Sequence, residues 1–170
     1  MFKVIGLAMM SWVSISSSSA FAETIDQSAK CLADNIYYEA RDDGRTGWNA
    51  VGHVTLNRWH SALAVRPKST ICDVVYAGSR HGHHHCQFSW TCHHKIKAKT
   101  EPEDAAKILA LSYKLIRDNP KEPTKGATYF HEKRVHPRWS HDGTAIRTAA
   151  IGHHYFYRPK RETEVAMYVE

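Results

Sequence analysis

A single glutamate, Glu39, lies within an otherwise apolar helical sector of the segment NIYYEARDDG. At 100° per residue, Glu39 falls about 20° from Leu32 and about 40° from Asn35 around a helix. Burial in such a sector disfavours the charged carboxylate and raises its pKa toward the range in which an acid donates a proton near neutral pH. Glu39 is therefore a candidate general acid. The alternative is a glutamate at the edge of the sector, or one neutralised by Arg41 or Arg58.

The composition favours a polar polymer as the partner of this acid. The chain has five tryptophans and eight tyrosines, and sugar rings stack well on such side chains. Cleavage of a glycosidic bond requires a proton on the leaving oxygen, which a half-buried glutamate can supply. The basic residues are scattered rather than arranged in a stripe along one helix, so we do not expect nucleic acid as a partner.

The first residues have the features of an export signal. Phe2 to Met10 is apolar apart from Lys3, small and serine-rich residues follow, and Ala20-Phe21-Ala22 matches the small-x-small pattern at which signal peptidase cuts. We therefore expect residues 1–22 to be removed and residues 23–170 to form a single exported domain, acting as a monomer. The apolar run is too short for a permanent membrane anchor. The 148 remaining residues carry 22 basic and 17 acidic side chains, a net charge of +5 that suits an anionic polymer.

Helical patterns precede strand patterns along the chain, which predicts an α+β domain. Apolar spacing predicts helices over 28–41, with the acidic cluster Asp42-Asp43-Gly44 ending the first, and over 47–60. Thr100 and Glu103 form a candidate capping box for a third helix that ends at Asn119-Pro120. The region 78–95 has no periodic spacing of apolar residues, which predicts a long ordered loop. The β-branched and aromatic residues of 127–131 and 148–157 predict paired strands.

All four cysteines lie in the part predicted to be exported, where oxidation is the default. Four cysteines allow three pairings, and the spacing does not decide among them. Cys86 and Cys92 flank the short loop QFSWT, so a local bridge is geometrically easy. Cys31 with Cys72 would then staple the first helix to the segment that follows the second.

Five ordered blocks of the chain resemble a known family. The segment CLADNIYYEARDDGRTGWNAVGHVTLNR is similar to the opening motif of the cell wall hydrolase family that includes the spore cortex-lytic enzymes, with its Y-x-E-A-R helix. The later blocks TICDVVY, CQFSWTC, GATYFH and IGHHYFYR follow in the family's order. The resemblance covers about residues 30–158 and implies a lysozyme-like α+β fold that cuts the glycan strands of peptidoglycan.

The resemblance also implies roles for particular residues. Glu39 corresponds to the catalytic acid of the family, and a lytic transglycosylase reaction follows from the family's likeness to those enzymes, with no cofactor. Hydrolysis of the same bond by a muramidase mechanism is the near alternative. Relatives usually carry Gly-Glu where this chain has Asp42-Asp43, so Asp43 is a candidate supporting residue with one methylene less reach.

A loop, a strand and a single tryptophan supply further candidates for substrate binding. Gln87, Phe88 and Ser89 lie between two cysteines, in a loop that a disulfide would hold rigid; Phe88 and Trp90 could instead fill the core. Tyr129 and His131 share one face of a predicted strand, with one face expected to meet the core and the other the cleft. Trp139 is either a sugar platform or a loop anchor.

The thirteen histidines support a competing class of function. HGHHHC at 81–86 and CHH at 92–94 offer imidazole and thiolate groups, which Zn²⁺ prefers. A zinc-dependent peptidoglycan amidase, or a non-catalytic His-rich metal-binding exported protein, is therefore the alternative. Against it, the chain has neither a His-Glu-x-x-His helix nor a C-x₂-C pair. Adjacent histidines in a strand point to opposite faces, so we expect that His153 and His154 cannot share a metal. We predict no metal site.

Overall fold

The computed structural model describes residues 23–79, 85–93 and 101–160. The predicted export signal, residues 1–22, lies outside the described residues. The described helices are α1 (Ile25–Ala40), α2 (Gly44–Val65), α3 (Ile71–Val75), α4 (Ser89–Cys92) and α5 (Pro102–Asp118). The strands are β1 (Tyr129–Glu132), β2 (Ala145–Ile151) and β3 (His154–Pro159). Helices come first and a small antiparallel sheet follows, so the predicted α+β class is confirmed.

Helix α1 begins at a capping box and carries the apolar face predicted from its spacing. The Thr24 side chain accepts a hydrogen bond from the Gln27 backbone, and the Gln27 side chain accepts one from the Thr24 backbone. These bonds satisfy amide groups that the first helical turn leaves without partners. Leu32 and Ile36 are fully buried in the core between α1, α2 and α5. The position of the last turn of α1, which carries Glu39, is thereby set by the core.

The acidic cluster forms a single tight turn between the first two helices. A 3-10 helix, Arg41–Asp43, follows α1 directly, and α2 begins at Gly44, three residues earlier than the predicted 47. Gly44 has φ +63°, a conformation that glycine adopts without a Cβ penalty. The Trp48 indole donates a hydrogen bond to the Arg41 carbonyl over 2.9 Å and fastens the turn to α2.

The sheet differs from the predicted pair of strands. Its order is β1-β3-β2, all antiparallel, with Tyr129 opposite Tyr157 and Ile151 opposite His154. The single strand predicted over 148–157 is wrong, because Gly152, with φ +55°, and His153 form a turn that divides it into β2 and β3. The predicted strand over 127–131 corresponds to β1.

The start of α5 also differs from the sequence prediction. The helix begins at Pro102, and its N-cap residue is Glu101, which makes no side-chain cap hydrogen bond. Thr100 lies outside the described residues. Proline suits the first helical position because its missing N–H would have no partner there. The helix ends at Asp118, and Asn119 in the left-handed conformation follows, as predicted for the Asn-Pro stop.

Two disulfides connect the described segments. Cys31 of α1 is bonded to Cys72 of α3, with Cα atoms 5.3 Å apart, and Cys86 is bonded to Cys92 of α4, with Cα atoms 5.9 Å apart. The first joins two elements whose cysteines are 41 positions apart in the chain, and the second closes the short loop of residues 86–92. Among the described helices, none is long and apolar enough to cross a membrane.

Candidate active site

Glu39 lies where two surface cavities meet. It is half-buried in the last turn of α1. The first cavity has a volume of about 570 Å³ and extends toward the 3-10 turn and His153, and the second, of about 340 Å³, extends toward α4. Four residues line both cavities: Tyr38, Glu39, Glu132 and His154. A chain-like substrate that filled both cavities would pass directly over the Glu39 carboxyl group.

The surroundings of Glu39 favour its protonated form. Burial raises the pKa of the Glu39 carboxyl group from 4.5 to about 7; the Arg58 guanidinium lowers it by less, and the negative charge of Glu132 raises it further. The Arg58 Nε also donates a hydrogen bond to the Thr128 carbonyl over 2.5 Å. Arg41, the other cation considered from the sequence, pairs with Asp42 over 3.1 Å. Glu39 can therefore hold a proton near neutral pH.

An aromatic wall borders the second cavity beside Glu39. The Trp90 indole stacks on the Tyr38 ring, with centroids 4.5 Å apart and planes 19° apart. Its Nε1 donates to the buried Asn35 side chain over 3.1 Å, and Asn35 in turn donates to Thr55 over 2.9 Å. This buried hydrogen-bonded chain fixes the indole plane. Both rings remain accessible on the cavity side, which suits stacking against a sugar ring.

Asp43 links the turn after α1 to the β2–β3 turn. Its side chain is 2 % exposed, and it accepts hydrogen bonds from the His153 backbone over 3.0 Å and from Nδ1 of His154 over 2.7 Å. The His153 ring contacts the same carboxylate. A Cβ at Gly47 or Gly152 would collide with the Asp43 side chain, so two glycines leave the space that it fills.

The model of a family described as Cell Wall Hydrolase matches residues 42–157, which is 116 of the 170 residues. The chain belongs to the cell wall hydrolase family. The resemblance to this family that the sequence motifs indicated is thus confirmed, and the protein is an enzyme that acts on peptidoglycan. The matched segment contains Asp43, His154 and all but the last two residues of the sheet, and begins three residues after Glu39. Neither the curated proteins nor the solved structures provide a match.

The predicted substrate-binding residues of the disulfide loop occupy different environments in this cell wall hydrolase. Ser89 lines the second cavity with Glu39. Gln87 is exposed and lines neither of the two cavities. Phe88 is buried, with the Arg58 guanidinium 4.9 Å from its ring centroid, so it supports the core beneath the site. Trp90, considered from the sequence only as a core residue, packs against the core and also lines the second cavity.

The predicted residues of the sheet are also divided between two environments. His131 lines the second cavity, although its Nε2 lies 3.0 Å from the Tyr157 hydroxyl. Tyr129 and Trp139 line neither cavity and pack against each other, with ring centroids 5.4 Å apart. Phe130, on the other face of β1, also lines the second cavity.

Of the four residues that line both cavities, only Glu39 was a candidate from the sequence; Tyr38, Glu132 and His154 were missed. Glu132 follows the GATYFH block, and nothing in its local pattern separates it from a surface glutamate. The expectation that His153 and His154 point to opposite faces of a strand is wrong. His153 lies in the turn before β3, so both rings approach Asp43. The glycine at 152, directly before the two histidines, was the available signal for this turn.

Among the described residues of this family member, one group has metal-ligand chemistry within reach: Glu23, Cys31 and Cys72, whose ligand atoms lie within 4.8 Å of one another. The two sulfurs are joined in a disulfide and cannot act as thiolates. The Glu23 carboxylate accepts hydrogen bonds from the backbone of Ile71 and of Cys72. The histidines at 81, 83, 84 and 94 lie outside the described residues.

Proposed function

We propose that this cell wall hydrolase cleaves the β-1,4 bond between N-acetylmuramic acid and N-acetylglucosamine as a lytic transglycosylase, with Glu39 as the general acid and base. The observation that carries the proposal is the half-buried Glu39 carboxyl group, with a pKa of about 7, at the junction of two cavities. An acid with a pKa close to the working pH combines a useful protonated fraction with a strong tendency to donate. We further propose that residues 1–22 direct export and that the enzyme acts as a monomer.

The proposed reaction follows from the position of this acid. Glu39 donates its proton to the glycosidic oxygen as the bond from that oxygen to C1 of the muramic acid breaks. The 6-hydroxyl of the same sugar then attacks C1 and loses its own proton to a base, which in the simplest scheme is the Glu39 carboxylate. The product is a 1,6-anhydro ring, and no water is consumed.

The lining of the two cavities supports a glycan as the substrate. The Tyr38 and Trp90 rings offer flat apolar faces for a sugar ring in the second cavity. The Ser89 side chain beside them is exposed and can bond to hydroxyl or N-acetyl groups. Three cations, Arg41, Lys133 and Arg134, line the first cavity together with the carboxylates of Asp42, Asp43 and Glu132, so the cavity offers polar contacts to a peptidoglycan peptide stem without a net positive charge.

Hydrolysis of the same bond is the second candidate, and Glu132 favours it. Retaining and inverting glycosidases use two carboxyl groups on either side of the scissile bond. Glu132 lines both cavities together with Glu39 and so supplies a second carboxylate. It forms an ion pair with Arg134, which occupies part of its hydrogen-bonding capacity and makes it a weaker nucleophile.

The experiment that tests the proposal compares wild-type enzyme with Glu39→Gln on purified cell walls, with and without EDTA. We expect the wild type to release muropeptides at the same rate in EDTA and the variant to release almost none. Loss of the wild-type activity in EDTA, restored by Zn²⁺, would support the zinc amidase instead. Binding to walls without release of any fragment would support a non-catalytic protein.

A further inference from the structure

We propose that His154, oriented by Asp43, is a second catalytic residue of this enzyme and takes the proton of the attacking hydroxyl in place of Glu39. This inference rests on the proposed glycan cleavage and deepens it. It concerns the base for the attacking group, a role that the simplest scheme assigns to Glu39 itself.

The first support is the position of the His154 ring. His154 lines both cavities with Glu39, although only 7 % of its side chain is exposed. The ring lies edge-on to Phe130, with planes at 90° and centroids 5.2 Å apart, and it also contacts Phe156. These apolar contacts hold the imidazole in one orientation at the wall of the site.

The second support is the division of roles between the two ring nitrogens. Nδ1 lies 2.7 Å from the buried Asp43 carboxylate, which can only accept, so Nδ1 carries the hydrogen. In the neutral ring, Nε2 is then the acceptor. Within the described part of the chain, Nε2 of His154 has no hydrogen-bond partner. Among the described residues, the fully buried polar side-chain atoms that lack such a partner do not include Nε2, so this nitrogen retains some contact with solvent. Nε2 is therefore open to a hydroxyl group in the cleft.

The third support is that Asp43 is too engaged to act on the substrate itself. One carboxylate oxygen accepts from the His153 backbone and contacts the His153 ring, and the other accepts from His154. A buried carboxylate in this position stabilises the imidazolium that forms when a histidine accepts a proton, as in other Asp–His pairs. Asp43 is thus a positioning residue that acts through His154.

Glu132 is another group near Glu39 that could serve as a base. It pairs with Arg134, and 43 % of its side chain is exposed to solvent, so its lone pairs are shared with a guanidinium and with water. His154 has a buried ring, a fixed tautomer and a free acceptor. These features favour His154.

The protons balance in the proposed step. Glu39 gives its proton to the leaving oxygen as the C1–oxygen bond breaks, and the attacking 6-hydroxyl forms the new bond to C1 while its proton passes to Nε2 of His154. Glu39 ends as the carboxylate and His154 as the imidazolium. Transfer of one proton from His154 to Glu39 through solvent restores the starting state, with no further reactant.

The test uses His154→Asn and His154→Ala on dye-labelled cell walls. The asparagine amide can still donate to Asp43 in place of Nδ1, but it puts no base at the position of Nε2. We expect both variants to release fragments about 100-fold more slowly than wild type. Added imidazole should restore the alanine variant at least about tenfold, because it can enter the vacated space and accept the proton. The matched control is His136→Asn, at an exposed residue that lines neither cavity, and its rate should equal that of wild type.

Binding to intact walls and the melting temperature separate catalysis from structure. We expect His154→Asn to bind walls and to melt as the wild type does. Retention of more than half of the wild-type rate by His154→Asn would overturn the inference, as would a His154→Ala variant that folds and is not rescued by imidazole. Neither result touches the proposed function, which fails if Glu39→Gln stays active, if the wild type releases no fragments or needs Zn²⁺, or if the products are free peptides or carry reducing muramic acid ends.

Discussion

Replacement of Glu39 by glutamine should abolish activity and, at alkaline pH, stabilise the fold. The two effects have one cause, since the carboxyl group is kept in an environment that suits its neutral form. Glutamine has nearly the same size and is neutral at every pH, so it removes the proton donor and the buried charge together. A residue that served only to stabilise the fold by an ion pair would give the opposite change in stability.

The magnitude follows from the pKa of Glu39. Burial raises that pKa from 4.5 to about 7, so the fold binds this proton more tightly than the unfolded chain does. The stability linked to the proton is fully present below pH 4.5 and is lost as the pH rises through about 7. At 1.36 kcal/mol per pKa unit, the difference between 4.5 and about 7 corresponds to a loss of about 3 kcal/mol in the free energy of unfolding. The glutamine variant avoids this loss, so at pH 8 its melting temperature should be higher by on the order of 5–10 °C.

Thermal unfolding at pH 4 and pH 8 measures this effect, and release of dye from labelled walls measures activity. We expect equal stability at pH 4, a more stable variant at pH 8, and a rate at least about 100-fold below that of wild type. The control is Glu103→Gln, at an exposed carboxylate of α5 that pairs with Lys107, which should change neither activity nor the pH dependence of stability appreciably. A Glu39→Gln variant that melts below wild type at pH 8 would refute the reasoning, because the carboxylate would then be stabilising the fold.

Three further predictions concern the surroundings of Glu39 and the frame that carries it. Glu132→Gln removes a negative charge that raises the pKa of Glu39, so the decline of kcat with rising pH should move to lower pH; complete loss of activity would instead make Glu132 a participant in hydrolysis. Cys31→Ser with Cys72→Ser opens a link across 41 positions and should lower the free energy of unfolding in urea by roughly 4 kcal/mol; an unchanged value would contradict a stapling role. Trp90→Ala should raise the Kd for an N-acetylglucosamine oligomer roughly fivefold, measured by calorimetry, and an unchanged Kd would exclude Trp90 as a sugar platform.

The position of Glu39 could be predicted from the sequence because it depends on local periodicity. Leu32 and Ile36 mark the buried face of α1, and a helical wheel places the glutamate close to that face. The order of helices and strands could be predicted for the same reason, since apolar spacing and β-branched runs are local signals. The α+β class followed from that order.

The rest of the site depends on contacts between distant parts of the chain. Asp43 and His154 are 111 positions apart, and no local pattern indicates that the turn after α1 meets the turn before β3. The wrong prediction for His153 came from treating 148–157 as one strand, although Gly152 offered a turn signal. Trp90 was assigned only to the core because its place beside Tyr38 depends on Asn35, a partner 55 positions away.

The central claim is that Glu39 drives cleavage of the glycan strand with closure of an anhydro ring. Digestion of purified peptidoglycan in water enriched in oxygen-18, followed by mass spectrometry of the fragments, tests it most directly. The account predicts muropeptides with an unlabelled 1,6-anhydro end, lower in mass by one water than a reducing sugar, and none of them with Glu39→Gln. Label at a reducing muramic acid end would show hydrolysis, and label on a lactyl carboxylate next to a free peptide would contradict the account altogether.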